Sequence, residues 1–256
     1  MTLPSFLLRV WYNFIMNKFT VVAILVILAL FGGLIVWTTV QKEENPTSVK
    51  DYDSTKIIAG DNNNGNIGDH VRGNADAKVI VVEYADLQCP GCAAAMPNVH
   101  KLYEQYGDRV AFLYRNFPIS GHQNARAAAA AAESAGFQNH YWDMVETIYA
   151  NRADWISEAG SARTAVFVSL FKDIAPDGDV EKFEKDMGDA NIETKINFDY
   201  SLGREVDKVT ATPAFYVNGH AVDVASANTQ DDLRKAIETM INDELKKAGE
   251  ETGAKE

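Results

Sequence analysis

Cysteine is nearly absent from this 256-residue sequence, which holds two, at positions 89 and 92. A framework of several disulfides is thereby excluded as the source of stability. A closed zinc site needs about four ligands, and the five histidines, His70, His100, His122, His140 and His220, show no HxxxH pairing that could complete one. Basic residues are also few: Lys and Arg total 24 against 36 Asp and Glu, a net charge of -12. That balance argues against nucleic acid as a partner, because phosphate binding needs a basic surface. With 46% apolar and 23% charged residues the chain is ordinary for a globular protein and cannot be disordered throughout. No internal repeat is present.

Charge itself is missing from one stretch. Residues 1–41 carry only Arg9 and Lys18 and no acid, so the remainder carries -14. Phe19 to Val40 is a run of 22 uncharged, mostly apolar residues. A helix of that length spans about 30 Å, the thickness of a bilayer core, and Trp37 falls near one end, where an indole suits the lipid–water interface. A cleaved signal peptide has a shorter apolar core, of about 7 to 15 residues, and Trp37-Thr38-Thr39-Val40-Gln41 is a poor cleavage site. No Cys follows the run, which excludes lipoprotein processing. The reading is therefore an uncleaved anchor over residues 19–40 in a lipid bilayer. Arg9 and Lys18 ahead of it place the segment 1–18 in the cytoplasm and the rest outside. Residues 41–69, rich in Asn, Asp, Ser and Gly, read as a flexible linker, with Ile57 and Ile58 as a possible short strand.

Beyond the linker the periodicities change. Val79-Ile80-Val81-Val82-Glu83-Tyr84 is a β-branched run that predicts a buried strand. Asp86-Leu87-Gln88 leads into Cys89-Pro90-Gly91-Cys92. A helical pattern follows, with Met96, Val99, Tyr103 and Tyr106 on one face, Pro97 as a kink and Gly107 as C-cap. Val110 to Asn116 predicts a second strand, so the CxxC lies inside a β-α-β unit. From about 123 to 207 there is no strand signal. Helices are expected at Asn124–Ala135, around Tyr141 to Ile148, around Val166 to Phe171, at Val180–Met187 and at Asn191–Asp207. Strands return at Ala214–Val217 and Ala221–Val224 around Asn218-Gly219, a strong hairpin signal. Thr229 and Asp232 form a capping box for a last helix carrying Leu233, Ile237, Met240 and Ile241. The tail from Lys246 is charged and expected to fray, and residues 249–256 are expected to be disordered.

Two residues between the cysteines allow a disulfide across the first turn of a helix, whose unpaired N–H groups stabilise a thiolate. Cys89 would be the exposed nucleophile and Cys92 the resolving thiol, with exchange through a mixed disulfide. A purely structural disulfide would close a loop of a few residues and stabilise little.

Val79 to Cys92, the helix after it, Phe117-Pro118 and His122, the helical insertion and Thr212-Pro213-Ala214-Phe215-Tyr216-Val217-Asn218-Gly219 together resemble the DsbA-like thiol-disulfide oxidoreductases of the thioredoxin superfamily. The resemblance runs from about Asp69 to Lys246. It implies an α/β thioredoxin-like fold with a helical insertion, in a domain over residues 70–248 preceded by the transmembrane helix. It makes Cys89 and Cys92 the redox pair and Thr212-Pro213 a cis-proline loop that faces the disulfide and pairs with the substrate backbone. Pro90 and Gly91 complete the substrate-facing set. Glu83, six residues before Cys89, matches a buried acid beneath the active site, a proton acceptor for Cys92; on the residues alone it could equally be exposed on an edge strand. His122 is expected to cap or pack at the start of the insertion. The strongest oxidants of the family carry His before the second Cys, whereas this chain has Gly91. The expected potential therefore lies between those of thioredoxin, about -270 mV, and DsbA, about -120 mV.

The resulting expectation is an extracytoplasmic, membrane-tethered protein disulfide oxidoreductase without cofactor or metal. As an oxidant it would pass its disulfide to exported client proteins with thiols, and a membrane partner of DsbB or VKOR type would recharge it. Two alternatives stay open at this stage: a reductase or isomerase kept reduced by a partner, and a non-catalytic substrate-binding or chaperone module with a structural CxxC.

Overall fold

A computed structural model describes residues 48–250 together with Val22, Thr252 and Gly253. The chain divides into two units, residues 1–45 and 46–256. The expected anchor at 19–40 lies outside the described residues, Val22 apart. Among the described residues no helix is long and apolar enough to cross a membrane.

Among the described residues the strands form one five-stranded sheet in the order β1-β3-β2-β4-β5: β1 (Val71–Gly73), β2 (Val79–Ala85), β3 (Val110–Asn116), β4 (Ala214–Val217) and β5 (His220–Ala221). β2 pairs parallel with β3 and antiparallel with β4, and β1–β3 and β4–β5 are antiparallel. Central position explains why all seven residues of β2 are buried: both faces are covered, so the strand needs no polar face. Val79 and Val81 point to one side, where α1 (Pro90–Tyr106) brings Val99 and Leu102 and α8 (Gln230–Ala248) brings Ile237 and Ile241. Ile80, Val82 and Tyr84 point to the other, among Leu113, Phe117 and Val209.

Between β3 and β4 the chain makes α2 (Ala125–Gly136), α3 (Tyr141–Ala150), α4 (Arg152–Trp155), α5 (Gly160–Ile174), α6 (Val180–Asp186) and α7 (Ala190–Glu205). Among the described residues this stretch holds six helices, one short helix more than the sequence pattern predicts. Its core, built on Tyr141, Met144, Val145, Trp155, Phe167 and Phe171, is continuous with Cys89, Cys92 and Met96. The insertion is thus packed against the CxxC rather than hung beside it. α1 runs on through Pro97 and ends at Gly107.

Several expectations are corrected. The linker was expected to be flexible to residue 69, but from Ser48 onward it is folded. Ile58 and Ile67 are buried, and short 3-10 turns occupy Val49–Asp51 and Asn62–Asn64. The reason is tertiary: Asp69 is buried between Arg115 on β3 (2.7 Å) and Lys195 on α7 (3.3 Å), and Lys195 also meets Asp199 at 2.8 Å. The Arg115 and Lys195 cations hold the Asp69 carboxyl well below its ordinary range against the opposing effect of its burial. Ile57 and Ile58 form no strand; the edge strand is β1, with register Val71 to Leu113. β5 is shorter than expected, ending at Ala221. Asn218 and Gly219 (φ 46° and 80°) make the two-residue turn, and Asn218 Oδ1 accepts from Ile80 N at 2.8 Å, tying the hairpin to β2. The last helix continues to Ala248 and closes on Gly249 in the left-handed region; Gly253 N still donates to Asn242, at 2.7 Å.

Candidate active site

β2 delivers the chain to the site, and its last residue, Ala85, is followed by a tight loop. Asp86 organises that loop. Its Oδ1 accepts from Gln88 N (2.7 Å), its Oδ2 from Ile119 N (2.8 Å), and its carbonyl from Cys89 N (2.9 Å). His122 Nδ1 lies 2.7 Å from Asp86 Oδ2, so His122 braces the loop from the start of the insertion. Cys89 is the N-cap of α1 with extended backbone, and Pro90 occupies N1, where its missing N–H costs nothing.

This placement gives the two thiols opposite characters. Cys89 Sγ receives the Cys92 thiol and the backbone N–H groups of Cys92 and Gly91, which together outweigh its partial burial and bring it down to about 5. Burial pushes the Cys92 thiol well above its ordinary range, and the hydrogen bond to Cys89 and the nearby Glu83 carboxyl act in the same direction. No disulfide joins them here, so the geometry is that of the dithiol. Cys89 was expected to be exposed, yet it is only 7% accessible, and Cys92 is wholly enclosed. The roof over Cys89 is the loop before β4. The Thr212–Pro213 bond is cis, and the Cys89 thiol lies 3.5 Å from Thr212 O as a donor. The Thr212 hydroxyl is buried with no regular hydrogen-bond partner among the described residues, and its proximity to the Cys89 sulfur favours the anion there.

Gly91 faces the same loop. A Cβ there would lie 3.4 Å from Pro213 Cδ and 3.6 Å from Cys89 Sγ, ordinary contacts, so the backbone does not require glycine. Glu83 is not an edge residue. It is 3% accessible, and neither carboxyl oxygen has a hydrogen-bond partner among the described residues. Its surroundings include Val81, Val99, Leu102, Phe112, Phe215 and Ile237. Burial there, with the Cys89 charge adding to it, pushes the carboxyl up to about 8, so it is neutral at pH 7. Among the described residues no cluster of His, Cys, Asp and Glu could hold a metal.

The structure therefore brings Cys89, Cys92, Pro90, Gly91, Thr212 and Pro213 together, with Glu83 beneath. Residue patterns did not single out Asp86, Gln88, Asn124 or Arg152, which hold the loop. Their contacts span up to 64 positions of sequence, and no short-range spacing records them.

A family model described as Thioredoxin matches residues 65–239. The chain belongs to the thioredoxin family. The protein is 34% identical to the "Probable disulfide bond formation protein D" of Bacillus cereus, over 66% of this chain and 77% of that one. It is also 34% identical to "Na(+)/H(+) antiporter NhaA 1" of Salinispora arenicola, but over 152 residues, 59% of this chain and 22% of the antiporter. The chain thus spans only about a fifth of the antiporters it matches. The crystal structure of oxidised BdbD from Bacillus subtilis superposes with a TM-score of 0.57 at 23% identity, over 73% of this chain and 98% of that one. That likeness is one of fold: a thioredoxin-like sheet carrying a helical insertion.

Proposed function

We propose that this protein is a thiol-disulfide oxidoreductase of DsbA type that oxidises client thiols through Cys89 and Cys92. The observation that carries the reading is the opposed pair: Cys89 at a helix N-terminus, lowered to about 5, against an enclosed Cys92 raised above its ordinary range. A sulfur that is stable as an anion is a good leaving group, so a pair containing it gives up its disulfide readily. This favours the oxidant over a reductase or isomerase.

In the oxidising direction a client thiolate attacks Cys89 Sγ of the Cys89–Cys92 disulfide. The S–S bond breaks, a mixed disulfide forms, and Cys92 leaves and takes up a proton. Glu83, neutral at pH 7, is the candidate donor for it. A second client thiolate then attacks the client sulfur of the mixed disulfide and releases Cys89 as the thiolate. The client loses two electrons and the pair gains them. Thr212 and Pro213 face Cys89 and offer the client backbone an edge, with Pro90 and Gly91 as the floor of the contact.

The clients would be exported proteins with thiols. Residues 19–40 would anchor the chain in the cell membrane, with 1–18 in the cytoplasm and the thioredoxin domain outside, where a DsbB- or VKOR-type partner would reoxidise the pair. The test uses the full-length protein in detergent with a reduced, unfolded client. The wild type, with Cys89 and Cys92 oxidised, should form client disulfides and Cys89→Ser should not. Cys92→Ser, given a client that already holds a disulfide, should accumulate mixed disulfides, because Cys89 attacks the client bond, a client thiolate leaves, and no second thiol resolves the product. An active Cys89→Ser protein would overturn the reading.

A further inference from the structure

Gln88, directly before the nucleophilic cysteine, is gripped from the helical insertion at both of its polar ends. Arg152 donates from Nε (3.1 Å) and Nη2 (2.9 Å) to the Gln88 carbonyl. Asn124 N donates to Gln88 Oε1 at 2.7 Å. Each gripping residue is itself fixed. Arg152 opens α4, whose Trp155 is wholly buried against Phe167 and donates from Nε1 to Ile148 O at 2.9 Å. Asn124 donates from Nδ2 to Ile156 O (3.0 Å) and Glu158 O (2.9 Å), and accepts from Arg163 Nη1 (2.6 Å). A guanidinium that places two donors on one carbonyl oxygen fixes that oxygen more firmly than a single flexible donor can. The Gln88 carbonyl belongs to the peptide unit that ends on Cys89 N. Turning it would turn the N-cap residue and carry its sulfur off the N–H groups of Gly91 and Cys92.

We propose that Arg152 is a positioning residue for Cys89: by holding the Gln88 carbonyl it keeps the Cys89 sulfur over the N-terminus of α1 and makes the helical insertion part of the redox control. The charge of Arg152 is not among the main causes of the low Cys89 value; hydrogen bonds from Cys92, Thr212 and Gly91 are. Arg152 therefore acts through geometry. Where a histidine before the second cysteine is lacking, this grip is a second route to thiolate stability. The inference rests on the proposed role of Cys89 as nucleophile.

The test measures the alkylation rate of Cys89 against pH in reduced full-length protein, with thermal melting as a control for folding. Wild type should titrate near 5, the value set by the site. Loss of about one N–H bond to the thiolate should raise the midpoint in Arg152→Met by about one pH unit. At pH 5 the rate should then fall about fivefold, while at pH 8 it should hardly change, since both proteins are fully ionised there. Arg152→Lys, which keeps the charge but has no paired donors, should recover less than half of the shift. It also serves if Arg152→Met does not fold. An unchanged midpoint in a folded Arg152→Met protein overturns the proposal, and so does full recovery in Arg152→Lys, which would make charge the cause. A wild-type midpoint near 9, with no transfer to clients, would instead sink the reading of Cys89 as nucleophile.

Discussion

Glu83 offers the sharpest test of the site, because its effect can be read as stability. Its carboxyl is enclosed in apolar surroundings without a hydrogen-bond partner among the described residues, and burial pushes it up to about 8. In the unfolded chain it would titrate near 4.3. Between those values the native state holds a proton that the unfolded state has released. The unfolded state therefore binds fewer protons, and stability falls as pH rises, by about 1.4 kcal/mol per unit. The contribution is fully present below about pH 4 and is lost progressively up to about pH 8. Glu83→Gln keeps the volume and removes the titration. Urea unfolding of the disulfide-bonded full chain, in detergent and followed by near-ultraviolet circular dichroism, isolates the effect. With both sulfurs oxidised, the Cys89 charge no longer contributes and burial, the larger cause, remains. From pH 5 to pH 7 the stability of Glu83→Gln relative to wild type should rise by about 2 to 3 kcal/mol. If that difference stays constant across the range, Glu83 ionises normally and cannot be the proton donor to Cys92.

Gly91→His should lower the Cys89 value further and make the pair more oxidising, by about 30 mV for each unit, since a side chain there meets Cys89 Sγ and Pro213 at ordinary contact distances; an unchanged glutathione equilibrium would show that the dipeptide is not the control point. Asp69→Ala leaves the Arg115 and Lys195 cations buried without their shared partner and should cost about 3 to 5 kcal/mol, read as a melting temperature lower by roughly 10 °C or more. Alkaline extraction should leave the full chain in the membrane fraction, and protease added to spheroplasts should digest residues beyond 41; a soluble, shortened form would favour a cleaved signal.

The sequence by itself determined the frame of this protein. The run from Val79 to Tyr84 pointed to a buried strand, because six residues with Glu83 as their one charge show no alternation and so call for cover on both faces. Cys89-Pro90-Gly91-Cys92 fixed a dithiol at a helix start, since Pro suits N1 and the spacing matches one turn. Asn218-Gly219 fixed a two-residue hairpin because those residues tolerate positive φ. Such signals are local, and the neighbours that enforce them lie within a few residues. What only the tertiary structure decided depends on groups brought together from far apart. Residues 48–69 look like a polar tether until Arg115 and Lys195 reach Asp69. Glu83 is ambiguous in sequence until β3 and β4 flank its strand and α1 and α8 cover it. The enclosure of Cys89 comes from Thr212 and Pro213, more than 120 positions later, and the grip on Gln88 comes from Arg152. Burial and hydrogen bonding set a group's ionisation, and both are properties of the packed chain rather than of any segment of it.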